Sequence, residues 1–187
     1  MSARVAGAGD VVRKTRETTV RVSVQRGTGT ATVETSVPFL DHMLMTLARY
    51  SGLDLRVEAH GDLRHHIIED VAIVMGDALR ALSGHGRGIA RYGDRTVPMD
   101  DALVQVVIDV GGRSYYEGAL PSTMYEHWMR SFATHAGATV HVLVHRGRDR
   151  HHVIEAAFKA LGFALAQALR EADDVMSTKG AVWSRVE

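Results

Sequence analysis

The residues that could carry chemistry are histidines and glutamates, and they occur in nearly the same order twice. In residues 41–79 a lone histidine, His42, is followed 23 residues later by the pair His65-His66, and Glu69 comes after the pair. Residues 126–165 repeat this order with a spacing of 24 residues, giving His127, His151, His152 and Glu155. Packing preserves apolar positions in a repeat but gives no reason to preserve exposed histidines. The duplication therefore predicts six imidazoles and two carboxylates that act together.

The spacing inside each repeat predicts a metal site on a helix. Residues at i and i+4 of a helix share a face, whereas sequence neighbours point about 100° apart. One histidine of each pair can therefore share a centre with its glutamate, while the other histidine reaches elsewhere. With the two lone histidines added, the set supplies three His and one Glu to each of two metal ions. Such a nitrogen-rich set with a carboxylate suits Mn, Fe, Co, Ni or Zn and is a poor match for Ca or Mg.

The elements that must position these side chains follow from the apolar periodicity. Helical spacing predicts helices at 38–50, 65–82, 124–134 and 151–171. Alternating apolar residues predict strands at 18–24, 31–33, 53–57, 103–110, 113–117 and 139–144, with the first two joined as a hairpin through Gly27-Thr28-Gly29. We therefore expect an α+β fold of duplicated ββαβα half-domains, with helices packed on one face of mixed sheets.

Length, charge and composition narrow the class of protein. A chain of 187 residues with 45% apolar residues suits a single domain, 1–187, built of two pseudo-symmetric halves at about 13–83 and 99–171 with a glycine-rich connection. The 22 basic and 22 acidic side chains balance, so no overall positive charge predicts a nucleic-acid or membrane partner. The chain has no cysteine, and no apolar run approaches the roughly 20 residues of a membrane span. We expect a cytoplasmic protein.

Three further features are typical of an anion site. Arg91 and Arg113 lie near predicted turns, and the stretch Ser177-Thr178-Lys179-Gly180, after the last helix, is basic and rich in hydroxyl groups. Arginine forks, and backbone amides beside a flexible glycine, bind phosphate well. These features predict a phosphate-containing ligand.

The combined motifs resemble those of the imidazoleglycerol-phosphate dehydratase family. The resemblance covers residues 13–182 and rests on six ordered motifs: Phe39-Leu40-Asp41-His42-Met43-Leu44, His65-His66-x-x-Glu69-Asp70, Arg91-Tyr92-Gly93 with Pro98-Met99-Asp100-Asp101-Ala102-Leu103, Gly112-Arg113, His151-His152-Val153-Ile154-Glu155-Ala156-x-Phe158-Lys159, and Ser177-Thr178-Lys179-Gly180. It implies half-domains like ribosomal protein S5 domain 2 and two manganese ions per active site, with other divalent transition metals as possible substitutes. It also implies a homo-oligomer of 24 subunits whose sites are shared between subunits.

The resemblance also implies roles for individual residues. The metal ligands would be His42, His65, His66, Glu69, His127, His151, His152 and Glu155. A phosphate ester substrate would be bound by Arg91, Arg113 and a C-terminal tail that includes Ser177, Thr178 and Lys179. Glu17 matches a glutamate that reaches the substrate, and it is the first candidate for proton transfer, with Glu69 and Glu155 as the second. The family pattern is broken at Leu63-Arg64 and Arg150, beside the two histidine pairs.

The implied reaction dehydrates imidazole glycerol phosphate to imidazole acetol phosphate. Metal ions on the ring nitrogens would favour the imidazolate, which can expel hydroxide through a diazafulvene-like intermediate. Two other functions remain open for the residues alone: a dinuclear metal hydrolase, and a storage or assembly protein bridged by metal ions. The predicted strands argue against a di-iron helix bundle.

Overall fold

Each half of the chain folds into one four-stranded mixed sheet and two helices. The computed structural model describes residues 8–172. The first half contains β1 (Ala8–Lys14), β2 (Thr18–Arg26), β3 (Ala31–Glu34), α1 (Pro38–Ser51), β4 (Leu53–Gly61) and α2 (Arg64–Leu82). The second half contains β5 (Tyr92–Met99), β6 (Ala102–Asp109), β7 (Tyr115–Gly118), α3 (Thr123–Ala136), β8 (Thr139–Arg146) and α4 (Arg150–Ala168). The predicted α+β fold with a repeated ββαβα order is confirmed, and one further strand precedes that order in each half.

The two sheets have the same topology. Their strand orders are β1-β2-β4-β3 and β5-β6-β8-β7, and in each sheet only the last pair, β4 with β3 or β8 with β7, is parallel. The further strands β1 and β5 lie at sheet edges. In β5 an edge position accommodates Pro98, which has no N–H to donate. The first sheet therefore begins at Ala8 and the second at Tyr92, ahead of the half-domain starts expected near 13 and 99.

The predicted hairpin between residues 18–24 and 31–33 is wrong. β2 pairs with β1 and β4, whereas β3 runs parallel to β4. The cause lies in the loop between β2 and β3, where Oδ1 of Asp54 accepts hydrogen bonds from the backbone N–H groups of Thr28, Gly29 and Thr30 at 2.9–3.1 Å. These bonds, above all that of Thr30, lower the pKa of Asp54. The loop is held at the start of β4, so β3 continues along that strand and does not fold back on β2.

The four helices lie between the two sheets and pair across the halves. α2 packs on the first sheet and on α3, while α4 packs on the second sheet and on α1. Glycines permit both close approaches. A Cβ at Gly76 would lie 2.7 Å from Cβ of His135 on α3, and a Cβ at Gly162 would lie 2.8 Å from Cβ of Tyr50 on α1. Each lone-histidine helix therefore packs against the paired-histidine helix of the other half.

The helices of each pair run in the same general direction. His42 precedes Tyr50 on α1 much as Glu155 precedes Gly162 on α4, so the early turns of both helices meet at one end. α1 and α3 stop at Gly52 and Gly137, whose φ angles of 71° and 64° turn the chain into the next strand. None of the helices between residues 8 and 172 combines the length and apolar character needed to cross a bilayer.

Candidate metal centres

The first turns of the four helices gather at one end of the molecule around Phe39. Its ring lies 5.1 Å from the ring of Tyr125 on α3 and 5.2 Å from that of His151 on α4. Beside it, a pocket of about 290 Å³ separates the start of α1 from the start of α2 and is lined in part by Asp62 and Arg64. The predicted metal-binding histidines all lie in the first two turns of these helices, so the packing brings them to one region.

His42, His151 and Glu155 form one cluster across the two halves. The Nε2 atoms of His42 and His151 lie 3.2 and 2.9 Å from the same oxygen, Oε2 of Glu155. One potential ligand atom from each residue lies within 4.8 Å of the others. Two imidazole nitrogens and a carboxylate oxygen directed at one point are a typical partial ligand set for a divalent transition metal.

Glu155 is well prepared to act as an anion in this cluster. Its side chain is 9% exposed, and Oε1 lies 2.9 Å from Nζ of Lys159. Burial raises the pKa of Glu155, but hydrogen bonds from Lys159, His42 and His151 together outweigh burial, so the pKa lies below its usual value. The carboxylate is ionised near neutral pH, which is the form that binds a metal ion.

His65, His127 and Glu69 form the corresponding cluster between α2 and α3. Nε2 of His65 lies 3.6 Å from Oε2 of Glu69, and Nε2 of His127 lies 3.4 Å from Oε1. This glutamate is 37% exposed, and the position four residues after it, equivalent to Lys159, is Ile73. The two clusters therefore share their ligand types but differ in burial and in the charge beside the carboxylate.

The second histidine of each pair is held by an aspartate outside both clusters. Nδ1 of His66 lies 2.8 Å from Oδ1 of Asp62, and Nδ1 of His152 lies 2.7 Å from Oδ1 of Asp101. These hydrogen bonds raise the pKa of both histidines. When Nδ1–H donates its hydrogen bond to a carboxylate, the proton stays on Nδ1 and Nε2 is the nitrogen that can bind a metal ion. Within residues 8–172 neither histidine forms an ion pair with Glu69 or Glu155, so one chain supplies each centre with two histidines and one glutamate.

Glu17 lies beside His66 in the loop between β1 and β2. Its side chain is 58% exposed, and Oε2 lies 3.7 Å from Nδ1 of His66. The backbone carbonyl of Glu17 accepts a hydrogen bond from the N–H of Asp62 at 3.0 Å. The structure thus places this predicted proton-transfer residue next to a predicted metal ligand.

The predicted phosphate-binding arginines lie far from the histidines of their own chain. The backbone N–H of Arg91 donates to the carbonyl of Ala168 at the end of α4, about 25 Å along the helix from His151. Its guanidinium donates to Asp109 at 2.6 and 2.9 Å, which raises the pKa of Arg91. Arg113 lies near the end of α3, where its carbonyl accepts a bond from Thr139. Ser177, Thr178 and Lys179 lie outside the described residues.

Sequence reasoning did not identify several residues that contact the predicted ligands. Lys159 follows Glu155 by four residues, and Asp62 precedes His66 by four, so helical spacing could have indicated both. Asp101 has no such signal, because it comes from the β5–β6 turn 51 residues away from His152. Asp109, the last residue of β6, reaches Arg91 because β6 pairs with β5, and it is 18 residues away in sequence.

Comparisons with known proteins all indicate one family. The family model described as imidazoleglycerol-phosphate dehydratase matches residues 35–165. The imidazoleglycerol-phosphate dehydratase of Methanoculleus marisnigri is 46% identical over 190 residues, which cover 92% of this chain and 98% of the relative. That of Pyrobaculum aerophilum is 48% identical over 186 residues, which cover 91% and 98%.

Solved structures of this family have the same fold. The crystal structure of IGPD from Pyrococcus furiosus matches with a TM-score of 0.81 and 35% identity, covering 92% of this chain and 100% of that one. The imidazoleglycerol-phosphate dehydratase from Staphylococcus aureus matches with a TM-score of 0.80 and 33% identity, covering 88% and 99%.

Proposed function

The chain belongs to the imidazoleglycerol-phosphate dehydratase family, and from that premise we propose that its dehydration reaction depends on two divalent transition-metal ions, with manganese as the first candidate. The dehydration itself, a step of histidine biosynthesis, follows from the family. This family membership argues against the dinuclear hydrolase and the metal-storage protein, the two functions that the residues alone left open. The observation that carries the proposal is that each predicted glutamate ligand lies between two histidines, one from each half.

The donor atoms fit such ions. One centre would be held by His42, His151 and Glu155, and the other by His65, His127 and Glu69. Bound there, the ions would act as Lewis acids toward the imidazole ring of the substrate. The imidazoles present Nε2 to the carboxylate in both clusters. At Glu155 both face one oxygen, which is the arrangement expected of ligands that share one ion, whereas at Glu69 they face different oxygens.

Glu17 is proposed to move the proton. Dehydration removes a hydrogen from carbon as a proton and the neighbouring hydroxyl as hydroxide, which leave together as water, and the resulting enol becomes the ketone. A carboxylate near cations stays ionised and can accept the carbon-bound proton. Glu17 supports this role because its side chain is largely exposed and lies beside His66. Glu69 and Glu155 are already engaged with two histidines each, which favours Glu17 over them.

The phosphate of the substrate is proposed to bind Arg91, Arg113, Ser177, Thr178 and Lys179. Arginine supplies a rigid fork of donors that matches phosphate oxygens. Both arginines are placed at the ends of α4 and α3 opposite the histidines. A substrate that contacts the metal centres of one chain would therefore meet the arginines of another chain.

A homo-oligomer with shared sites is the assembly that this geometry supports. Each cluster lacks the third histidine of the predicted set, while His66 and His152 direct Nε2 elsewhere. A neighbouring copy could complete each centre with one of these histidines. We propose an assembly of 24 subunits, as the family resemblance implies, working in the cytoplasm in keeping with the absence of cysteine.

The test is turnover of imidazole glycerol phosphate by purified protein before and after chelation, with manganese then restored. We expect chelation to abolish turnover and manganese to restore it. His42→Ala should lose metal and activity, whereas His60→Ala, on the exposed end of β4, should keep both. Full turnover in chelated protein shown to be metal-free would contradict the proposal.

Sharing between subunits can be tested by mixing two inactive variants. His42→Ala removes a cluster ligand, and His66→Ala removes a histidine proposed to act in the neighbouring copy. When the two proteins are dissociated and reassembled together, some interfaces should combine an intact His42 with an intact His66 and regain activity. Separate reassembly of each variant is the control, and no activity in the mixture would refute shared centres.

A further inference from the structure

One buried carboxylate, Asp70, binds both ends of the loop that carries Glu17. Four residues, Thr15 to Thr18, lie between the last paired positions of β1 and β2, Lys14 and Thr19. Nε of Arg13 donates to Oδ1 of Asp70 at 2.9 Å, and the hydroxyl of Thr18 donates to Oδ2. Asp70 is 8% exposed. A buried carboxylate requires such partners, and it fixes in turn the groups that supply them.

A relay of hydrogen bonds leads from Asp70 to the backbone of Glu17. Oγ1 of Thr15 accepts the N–H groups of Glu17 and Thr18 at 3.1 and 2.9 Å. With both lone pairs used, the hydroxyl of Thr15 is left to donate to Oγ1 of Thr18 at 3.2 Å, and Thr18 donates onward to Asp70. The carbonyl of Glu17 is bound by the N–H of Asp62. Both backbone polar groups of Glu17 are therefore fixed.

The other half of the chain has no such anchor at the equivalent position. The residue after Glu155 is Ala156, which is fully buried. The β5–β6 turn, which corresponds to the loop of Glu17, has only Asp100 and Asp101 between the paired residues Met99 and Ala102. The pairing of the two strands fixes a two-residue turn, whereas ordering a four-residue loop costs more conformational entropy and needs further contacts. Among residues 8–172, such an anchor occurs at the longer loop, which carries Glu17, and not at its two-residue counterpart.

We infer that Asp70 is a positioning residue that, through Thr18 and Arg13, holds Glu17 beside His66, the histidine proposed to complete a metal centre of a neighbouring copy. The inference rests on the proposed role of Glu17 in proton transfer. Two adjacent residues of α2 then act in different directions. Glu69 faces His65 and His127, and Asp70 faces the loop between β1 and β2. Because neighbours on a helix point about 100° apart, the same turn of α2 can support both a predicted metal ligand and the loop that carries Glu17.

The test removes the Thr18 hydroxyl, which leaves Asp70 and its neighbour Glu69 unchanged. Thr18→Val has the same shape but cannot donate, whereas Thr18→Ser keeps the hydroxyl. A proton-transfer group contributes roughly 10²- to 10⁴-fold to rate, so partial loss of its placement should lower kcat about tenfold in Thr18→Val. We expect KM and bound metal to stay unchanged and Thr18→Ser to keep wild-type kcat. Asp77→Asn, which breaks an ion pair of α2 with His135, should also keep it.

Two further measurements separate positioning from a general structural role. Amide hydrogen exchange in a peptide spanning residues 13–19 should quicken in Thr18→Val and in Asp70→Asn, but not in Thr18→Ser. In a Glu17→Gln background, Thr18→Val should cause no further loss of kcat, because the group that it positions is already disabled.

The outcomes that overturn the inference are distinct from those that overturn the role of Glu17. Unchanged exchange in Thr18→Val, or an equal loss of kcat in the Glu17→Gln background, would refute positioning by Asp70. Full activity of Glu17→Gln would instead refute proton transfer by Glu17, and with it the catalytic part of the inference.

Discussion

Replacing Lys159 with Met should destabilise the metal-free protein more than the metal-loaded protein. Nζ of Lys159 lies 2.9 Å from Oε1 of Glu155, and the two side chains are 19% and 9% exposed. Met has a similar length and keeps most of the apolar packing, so the main change is loss of the positive charge. The buried carboxylate then depends on His42 and His151 alone.

The size of the effect follows from the burial of this pair. Removing one partner of a buried ion pair costs about 3–5 kcal/mol. Because Glu155 keeps two histidine contacts and Lys159 is partly solvated, we expect about 2 kcal/mol in the absence of metal. For a domain of this size that loss lowers the melting temperature by about 4–8 °C. A metal ion bound at Oε2 would supply positive charge in place of the ammonium group and reduce the loss to less than about 1 kcal/mol.

The assay is thermal unfolding followed by circular dichroism, in chelator and in saturating manganese. Ile73→Met is the matched control, because Ile73 occupies the same position relative to Glu69 and carries no charge. It should shift the melting temperature little, and equally in both conditions. If Lys159→Met costs the same with and without manganese, Glu155 does not bind metal and the reasoning fails.

Three further outcomes are expected. Glu17→Gln should lower kcat by about 10²- to 10⁴-fold while the metal content measured by elemental analysis stays the same; loss of metal would assign Glu17 a different role. Arg113→Met should raise KM for the phosphate ester at least about tenfold without changing manganese affinity, since one charge-assisted contact is removed, and an unchanged KM would remove Arg113 from the phosphate site. Asp101 raises the pKa of His152, so a proton competes with metal more strongly, and affinity should decline as pH falls through that raised pKa. Asp101→Asn should move this decline to lower pH in manganese titrations between about pH 6 and 8, and identical profiles would contradict the assignment.

The local features of the site could be read from spacing. His65 with Glu69 and His151 with Glu155 are four residues apart, and any helix places such residues on one face. The four helices followed in the same way from apolar periodicity, and their observed ends differ from the expected ones by at most three residues. These predictions depended only on residues close together in sequence.

Which histidine joins which pair could not be read from spacing. The lone His42 lies nearer in sequence to His65, yet it contacts the pair of the other half because α1 packs on α4. Gly162 permits that packing, but a glycine inside a helical pattern does not indicate which helix will pack against it. The aspartates that hold His66 and His152 show the same contrast, since Asp62 is local and Asp101 comes from a distant turn.

The hairpin error has a similar physical cause. A Gly-Thr-Gly sequence between two alternating stretches favours a hairpin by local rules. Asp54, which is 24 to 26 residues away, accepts hydrogen bonds from the backbone N–H groups of the loop, and β3 pairs with β4 as a result. The edge strands β1 and β5 were missed because their mixed sequences, with Gly9 in one and Gly93 and Pro98 in the other, lack clear alternation.

The most direct test of the two metal centres is anomalous scattering from crystals of active protein, combined with elemental analysis of the same material. We predict two transition-metal ions per chain, one at Glu155 with His42 and His151 and one at Glu69 with His65 and His127. Each ion should have a further histidine, His66 or His152, from a neighbouring copy. Fully active protein with both clusters empty of metal would contradict the account.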